Sequence, residues 1–188
     1  DGDSTIAWYE NLGAGSFGLM VALTTAAPGA RTVFAEDLDG DGAVDVLAGS
    51  SADNTVSWFR NLGGGVFGAQ QVISSSSDGA SSLYAEDLDG DGDMDVLSTG
   101  TADDKVAWHA NLGGGVFGPR QELDAAATDA RCVFAEDLDG DGDMDVLAAS
   151  EAMNELTWYR NLGAGAFGPA QVICSVAKRA SAVVAADL

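Results

Sequence analysis

Between Ser81 and Leu123 the apolar and polar positions change pattern four times without settling into a helical period. "SSLYAED" (Ser81 to Asp87) alternates and is rich in strand-forming residues, and "MDVLSTG" (Met94 to Gly100) gives a second short strand. "KVAWHANLG" (Lys105 to Gly113) gives a third, ending in a glycine turn "NLGGG" suited to positive φ. "VFGPRQEL" (Val116 to Leu123) gives a fourth, which Pro119 marks as an edge because proline cannot donate to a ladder. Serine- and alanine-rich stretches such as "SSSSDGASS" connect one such group to the next. No segment combines a 3.6-residue apolar period with caps, so no helix is predicted.

The four-strand group recurs with a fixed step of 50 residues, read from "NLG" at Asn11, Asn61, Asn111 and Asn161. Trp8, Trp58, Trp108 and Trp158 keep the same step, as do Phe17, Phe67, Phe117 and Phe167. No insertion or deletion breaks it, so each copy is constrained by its neighbours. The chain reads as one repeat domain over 1–188, in windows 1–50, 51–100, 101–150 and a truncated 151–188. Several strands carry apolar residues on both faces (Trp58 beside Phe59, Trp108 beside His109), which requires cover on both sides. The predicted class is all-β, with β-propeller blades of about four antiparallel strands. An open β-solenoid or a string of sandwiches is the alternative.

Charge sharpens this picture. The net charge is −22, from 30 acidic residues against 8 Lys and Arg. A nucleic-acid partner needs clustered basic residues and is not expected, and the same charge disfavours docking on anionic lipid. No apolar run reaches the roughly 18–20 residues of a membrane-spanning helix. More than half of the acids lie in three near-identical stretches, "EDLDGDGAVDVL" from Glu36 and "EDLDGDGDMDVL" from Glu86 and Glu136. A bound cation is the simplest way to neutralise charge that concentrated.

Within each stretch aspartates stand at alternate positions: Asp37, Asp39, Asp41; Asp87, Asp89, Asp91; Asp137, Asp139, Asp141. A loop curling around a hard cation can aim these three inward. The seventh position (Ala43, Asp93, Asp143) then offers its backbone carbonyl, and the ninth (Asp45, Asp95, Asp145) closes the shell. Calcium takes about 6–8 oxygens, and glycine at the sixth position (Gly42, Gly92, Gly142) permits the sharp turn. A solvated acidic turn is the competing reading, weakened by three copies with one ligand spacing. An EF-hand is excluded, since its twelfth position needs Glu and is here Ala48, Ser98 or Ala148, with a strand following. Magnesium prefers strict octahedral geometry with retained water, and zinc lacks its His and Cys ligands.

The period, the D-x-D-G-D-G-x-x-D loop and the trailing Phe-Gly resemble the FG-GAP/VCBS repeats of integrin α-chain-type propellers over the whole chain. The resemblance implies calcium in the hairpin loops of a propeller, in secreted or cell-surface proteins. Carried over by position, the implied ligands are Asp37, Asp39, Asp41 and Asp45; Asp87, Asp89, Asp91 and Asp95; and Asp137, Asp139, Asp141 and Asp145. Asp187 opens a fourth, truncated copy. No "GAP" follows the loop, and "WYxNLGxGxFG" brings the chain closer to the VCBS variety.

Other residues suggest less. His109 is the only histidine and stands where the other copies have Tyr9, Phe59 and Tyr159, so it reads as a packed aromatic stand-in. No catalytic set can be assembled without it, and no enzyme activity is expected. The tryptophans read as repeat core. Glu36, Glu86 and Glu136 are candidates for supporting the ligands from outside. Cys132 and Cys174 occupy non-equivalent positions and set no disulfide framework. The expected role is adhesion or scaffolding, with a protein or glycan ligand compatible; an accessory propeller of a secreted enzyme is the alternative. "STIAWYENLG" reads as the third strand of a unit and "SAVVAADL" as a first strand. Because rings usually carry more blades than 188 residues supply, further repeats or other copies of the chain are the expected partners.

Overall fold

The computed structural model describes residues 4–186. Among them there is no helix, and fourteen strands form four antiparallel sheets. The first sheet pairs β1 (Ile6–Gly13) with β2 (Ser16–Thr24). The second runs β3 (Ala30–Glu36), β4 (Asp45–Ser50), β5 (Thr55–Phe59) and β6 (Gln71–Ser74) in sequence order. The third repeats this with β7 (Ala80–Glu86), β8 (Asp95–Gly100), β9 (Lys105–His109) and β10 (Gln121–Asp124). The fourth does so with β11 (Ala130–Glu136), β12 (Asp145–Ser150), β13 (Glu155–Tyr159) and β14 (Gln171–Cys174). These are propeller-like blades, and the row is open: among the described residues no sheet combines strands from the first and last blades.

The core lies between blades, not within one. On β8, Val96 packs into the cluster shared with the preceding blade, beside Leu47 and Trp58. Its neighbour Leu97 packs into the next cluster, beside Trp108 and Val146. Successive side chains point to opposite faces of a strand, so a blade covered on both sides needs apolar residues at consecutive positions. That is why these strands look uniformly hydrophobic where a one-sided sheet would alternate.

The first strands of neighbouring blades lie side by side, β3 against β7 and β7 against β11. Phe34, Tyr84 and Phe134 form a column along them, with ring centroids 5.0 Å apart at each step. At the opposite edge β6, β10 and β14 end their sheets.

Two strand expectations need correcting. The fourth strand pairs only over Gln121–Asp124, later than "VFGPRQEL" suggested, with an isolated bridge joining Asn111 to Phe117. Pro119 is not the cause, since Ala69 occupies its place in the preceding blade and β6 begins at the same register. Here the Gly118 N–H still donates to Ala110 O at 2.7 Å, and the Phe117 ring packs edge-on against Trp58 of the preceding blade, with centroids 6.5 Å apart. The second correction is "SAVVAADL": over the described residues 181–186 it forms no strand. Its counterparts β3, β7 and β11 are each paired with the strand after the aspartate loop, whereas among the described residues no strand pairs with 181–186. Cys132 points its thiol towards the Val183 carbonyl (3.7 Å), and both cysteines are free.

Candidate metal centre

Each aspartate stretch is the loop of the hairpin joining the first two strands of a blade. The ladder ends on the pairs Glu36↔Asp45, Glu86↔Asp95 and Glu136↔Asp145. That register fixes the loop's two ends opposite each other, so the first and ninth positions are held close by the sheet itself.

The loop then folds onto its own carboxylates. Asp37 accepts the backbone N–H groups of Gly40 (2.9 Å), Asp41 (3.1 Å) and Gly42 (2.7 Å). Asp137 accepts the same three from Gly140, Asp141 and Gly142, and Asp87 accepts those of Gly90 and Gly92. The curl places Gly42, Gly92 and Gly142 at φ of 87°, 95° and 95°, a region that a Cβ strongly disfavours. Asp45, Asp95 and Asp145 are fully buried. Each closes the loop by accepting two amides, from Leu38 and Asn61, Leu88 and Asn111, or Leu138 and Asn161.

The outcome is three carboxylate triplets: Asp37, Asp39 and Asp41; Asp87, Asp89 and Asp95; and Asp137, Asp139 and Asp145. In each, one oxygen per residue lies within 4.8 Å of the others. Two oxygens bound to one calcium at about 2.3–2.6 Å are at most roughly 5 Å apart, so the spacing fits a single ion and the donors are all hard oxygens. The fifth position joins the triplet only in the first loop, the ninth only in the other two. At the seventh position, the carboxylates of Asp93 and Asp143 lie beside the turns at Gly113 and Gly163. Asp187 lies outside the described residues.

Burial and mutual repulsion act on these acids. Desolvation pushes the Asp95 carboxyl up to about 7, against the pull of the Asn111 and Leu88 amides, with Asp89 and Asp91 adding repulsion. Asp45 and Asp89 are raised for the same leading reason. Asp41 moves the other way, lowered first by its bond to Arg60; Asp141 is lowered first by the Asp143 amide and then by Arg160. A carboxylate buried among others gains most when a cation replaces lost hydration.

Two groups of residues escaped sequence reasoning. Asn111 donates its side-chain amide to Met94 O of its own loop (3.1 Å) and Leu38 O of the preceding one (2.8 Å). Asn161 does the same to Met144 and Leu88, whereas the Asn61 amide reaches Val44 O of its own loop. The recurring "NLG" was the available signal, but it reads first as a turn. Arg60 and Arg160 reach the loops from the third strand's end, where the middle blade has Ala110. Glu36 does touch its loop, accepting the Asp37 N–H at 3.2 Å. Glu86 is raised chiefly by burial, with repulsion from Glu36 and Glu136, so the three also share a field beside the aromatic column. His109 is buried on β9, apart from the triplets.

The FG-GAP-like repeat matches this hairpin-and-loop pattern four times, over residues 1–48, 37–98, 87–148 and 137–188. The chain belongs to the FG-GAP repeat family. No curated protein matches it. Among solved structures it is similar to a lectin of Agrocybe aegerita described as recognising non-reducing terminal N-acetylglucosamine. That likeness has 24% identity, a TM-score of 0.64, and covers 90% of this chain and 46% of the lectin. It is also similar to the biofilm matrix protein Bap1 of V. cholerae, with 17% identity, a TM-score of 0.38, and 87% of this chain against 31% of that one. The first likeness concerns the fold, and this FG-GAP chain spans less than half the lectin's length.

Proposed function

We propose that this FG-GAP chain is a calcium-binding, non-catalytic propeller segment of an extracellular or cell-surface protein, serving adhesion or scaffolding. The observation that carries the reading is the recurrence of a convergent carboxylate triplet in the same hairpin of three successive blades. Asp37, Asp39, Asp41 and Asp45, with the Ala43 carbonyl, would hold one ion. Asp87, Asp89, Asp91 and Asp95, with the Asp93 carbonyl, would hold the second; Asp137, Asp139, Asp141 and Asp145, with the Asp143 carbonyl, the third.

Bound calcium would supply neutralisation of the loop's like charges. The protein's part is to present pre-curled hairpins whose ninth-position carboxylate is anchored in the sheet. The loop then becomes a rigid corner of the blade. Because the first and second loops are hydrogen-bonded to the next blade's Asn, through Leu38 and Leu88, rigidity gained in either is passed to the packing between blades. Mechanical stiffness of that kind suits a scaffold or adhesion module, and extracellular calcium is abundant enough to fill even weak sites.

Calorimetric titration of the chain with calcium, alongside melting curves in chelator, tests the reading. Binding with a raised melting temperature is expected. Absence of calcium binding together with an unchanged melt in chelator would overturn it.

A further inference from the structure

The three loops are not electrostatically alike. Arg60 straddles the first, its Nε 2.5 Å from Asp39 Oδ2 and a terminal nitrogen 2.9 Å from Asp41 Oδ2. Arg160 straddles the third in the same way, 2.6 Å from Asp139 Oδ2 and 2.9 Å from Asp141 Oδ2. The equivalent residue in the middle blade is Ala110, and among the described residues no ion pair reaches Asp87, Asp89 or Asp91.

The loops also differ in acid count, because the first has Ala43 where the others have Asp93 and Asp143. The middle loop thus carries five aspartates and no arginine; the third carries five with one arginine; the first carries four with one. Both arginine side chains remain nearly half exposed, at 45% and 44%, so each can swing away without unpacking a core. Their nitrogens sit on one oxygen from each of the third and fifth positions, residues assigned above to the ion.

We propose that Arg60 and Arg160 are tethered counter-cations that hold the first and third loops partly neutralised. Resting on the calcium reading above, a divalent cation then fills the Asp87–Asp95 loop first, the third loop next and the first loop last. The chain responds to calcium in steps, and its middle blade is rigid at concentrations that leave its neighbours closed by their own arginines.

The test is calcium titration by calorimetry on the full chain and four variants. One tight and two weaker sites are expected, the tight one lost in Asp89→Ala. Arg60→Ala and Arg160→Ala should each tighten one weak site by roughly tenfold, the scale of removing one positive charge a few ångströms from a divalent ion at a hydrated surface. Ala110→Arg should weaken the tight site by a similar factor and leave the others as they were. Three sites of one affinity, or arginine variants that bind more weakly or without change, would overturn the inference and leave calcium binding standing. No binding at any site in the unmodified chain would overturn both.

Discussion

The Asn111 amide and the Leu38 carbonyl meet at 2.8 Å although 73 residues separate them, and the bond joins two blades. On its own blade Asn111 also gives its backbone N–H to Asp95 at 2.7 Å, so one fully buried residue touches two aspartate loops. Replacing it with alanine leaves the Leu38 and Met94 carbonyls short of a donor, at a cost of about 1–3 kcal/mol. Asn161→Ala should cost as much, through Leu88 and Met144. Asn61→Ala should cost less, because its amide reaches only Val44 of its own loop. Urea unfolding of the three variants measures the difference.

Gly115 and Gly114 both have positive φ, 74° and 62°, but different surroundings. A Cβ added at Gly115 would lie 2.5 Å from the Trp58 ring of the preceding blade, whereas one at Gly114 would meet nothing within 4 Å. Two of the three other copies carry alanine at the Gly114 position, Ala14 and Ala164, also with positive φ. Gly115→Ala should therefore destabilise by about 1–3 kcal/mol more than Gly114→Ala, the usual cost of overpacking. Thermal or urea unfolding of the pair isolates the ring contact from the backbone strain common to both.

His109 is 1% exposed, and among the described residues neither ring nitrogen has a partner in hydrogen-bonding geometry. Desolvation, then repulsion from Arg120, lower it from 6.5 to about 4, with the nearby Gly118 backbone opposing slightly. The unfolded chain therefore takes up the histidine proton first. This contribution to stability is complete above pH 6.5 and is lost as pH falls towards 4. At about 1.4 kcal/mol per pKa unit the full loss is on the order of 3 kcal/mol. His109→Phe, matching the buried Phe59, should flatten that part of the stability curve and raise stability at pH 5. A difference curve that stays level between the two proteins would refute it.

Calcium removal should loosen the chain. A site filled at 100 times its Kd adds about 2.7 kcal/mol to the native state, so chelator should lower Tm and calcium should restore it better than magnesium does. Within the middle loop Asp89→Ala should abolish the site. Asp93→Ala should leave it largely intact, as its carboxylate lies beside the Gly113 turn and the first loop has Ala43 there. Equal losses in calorimetry would contradict this geometry.

Strand content and the aspartate loops follow from local chemistry and are legible in a single copy, while the repeat length is read from the 50-residue recurrence of "NLG" and tryptophan. Alternate aspartates with glycines between them curl in only a few ways, whatever the loop packs against, and consecutive apolar residues such as Val96 and Leu97 demand cover on both faces. What the chain could not declare locally is what crosses from one blade to the next. "VFGPRQEL" has the composition of a strand, yet its first half forms only an isolated bridge at Phe117, whose ring packs against Trp58 of the preceding blade. "SAVVAADL" has it too, yet forms no strand over the described residues, because a strand exists only with a partner to bond. "NLG" looks like a turn, and only the stacking of blades shows Asn111 reaching Leu38. Arg60 and Arg160 likewise look like ordinary surface charges until the end of the third strand is placed beside the loop. These contacts depend on distances between residues far apart in sequence, which only packing of the blades sets.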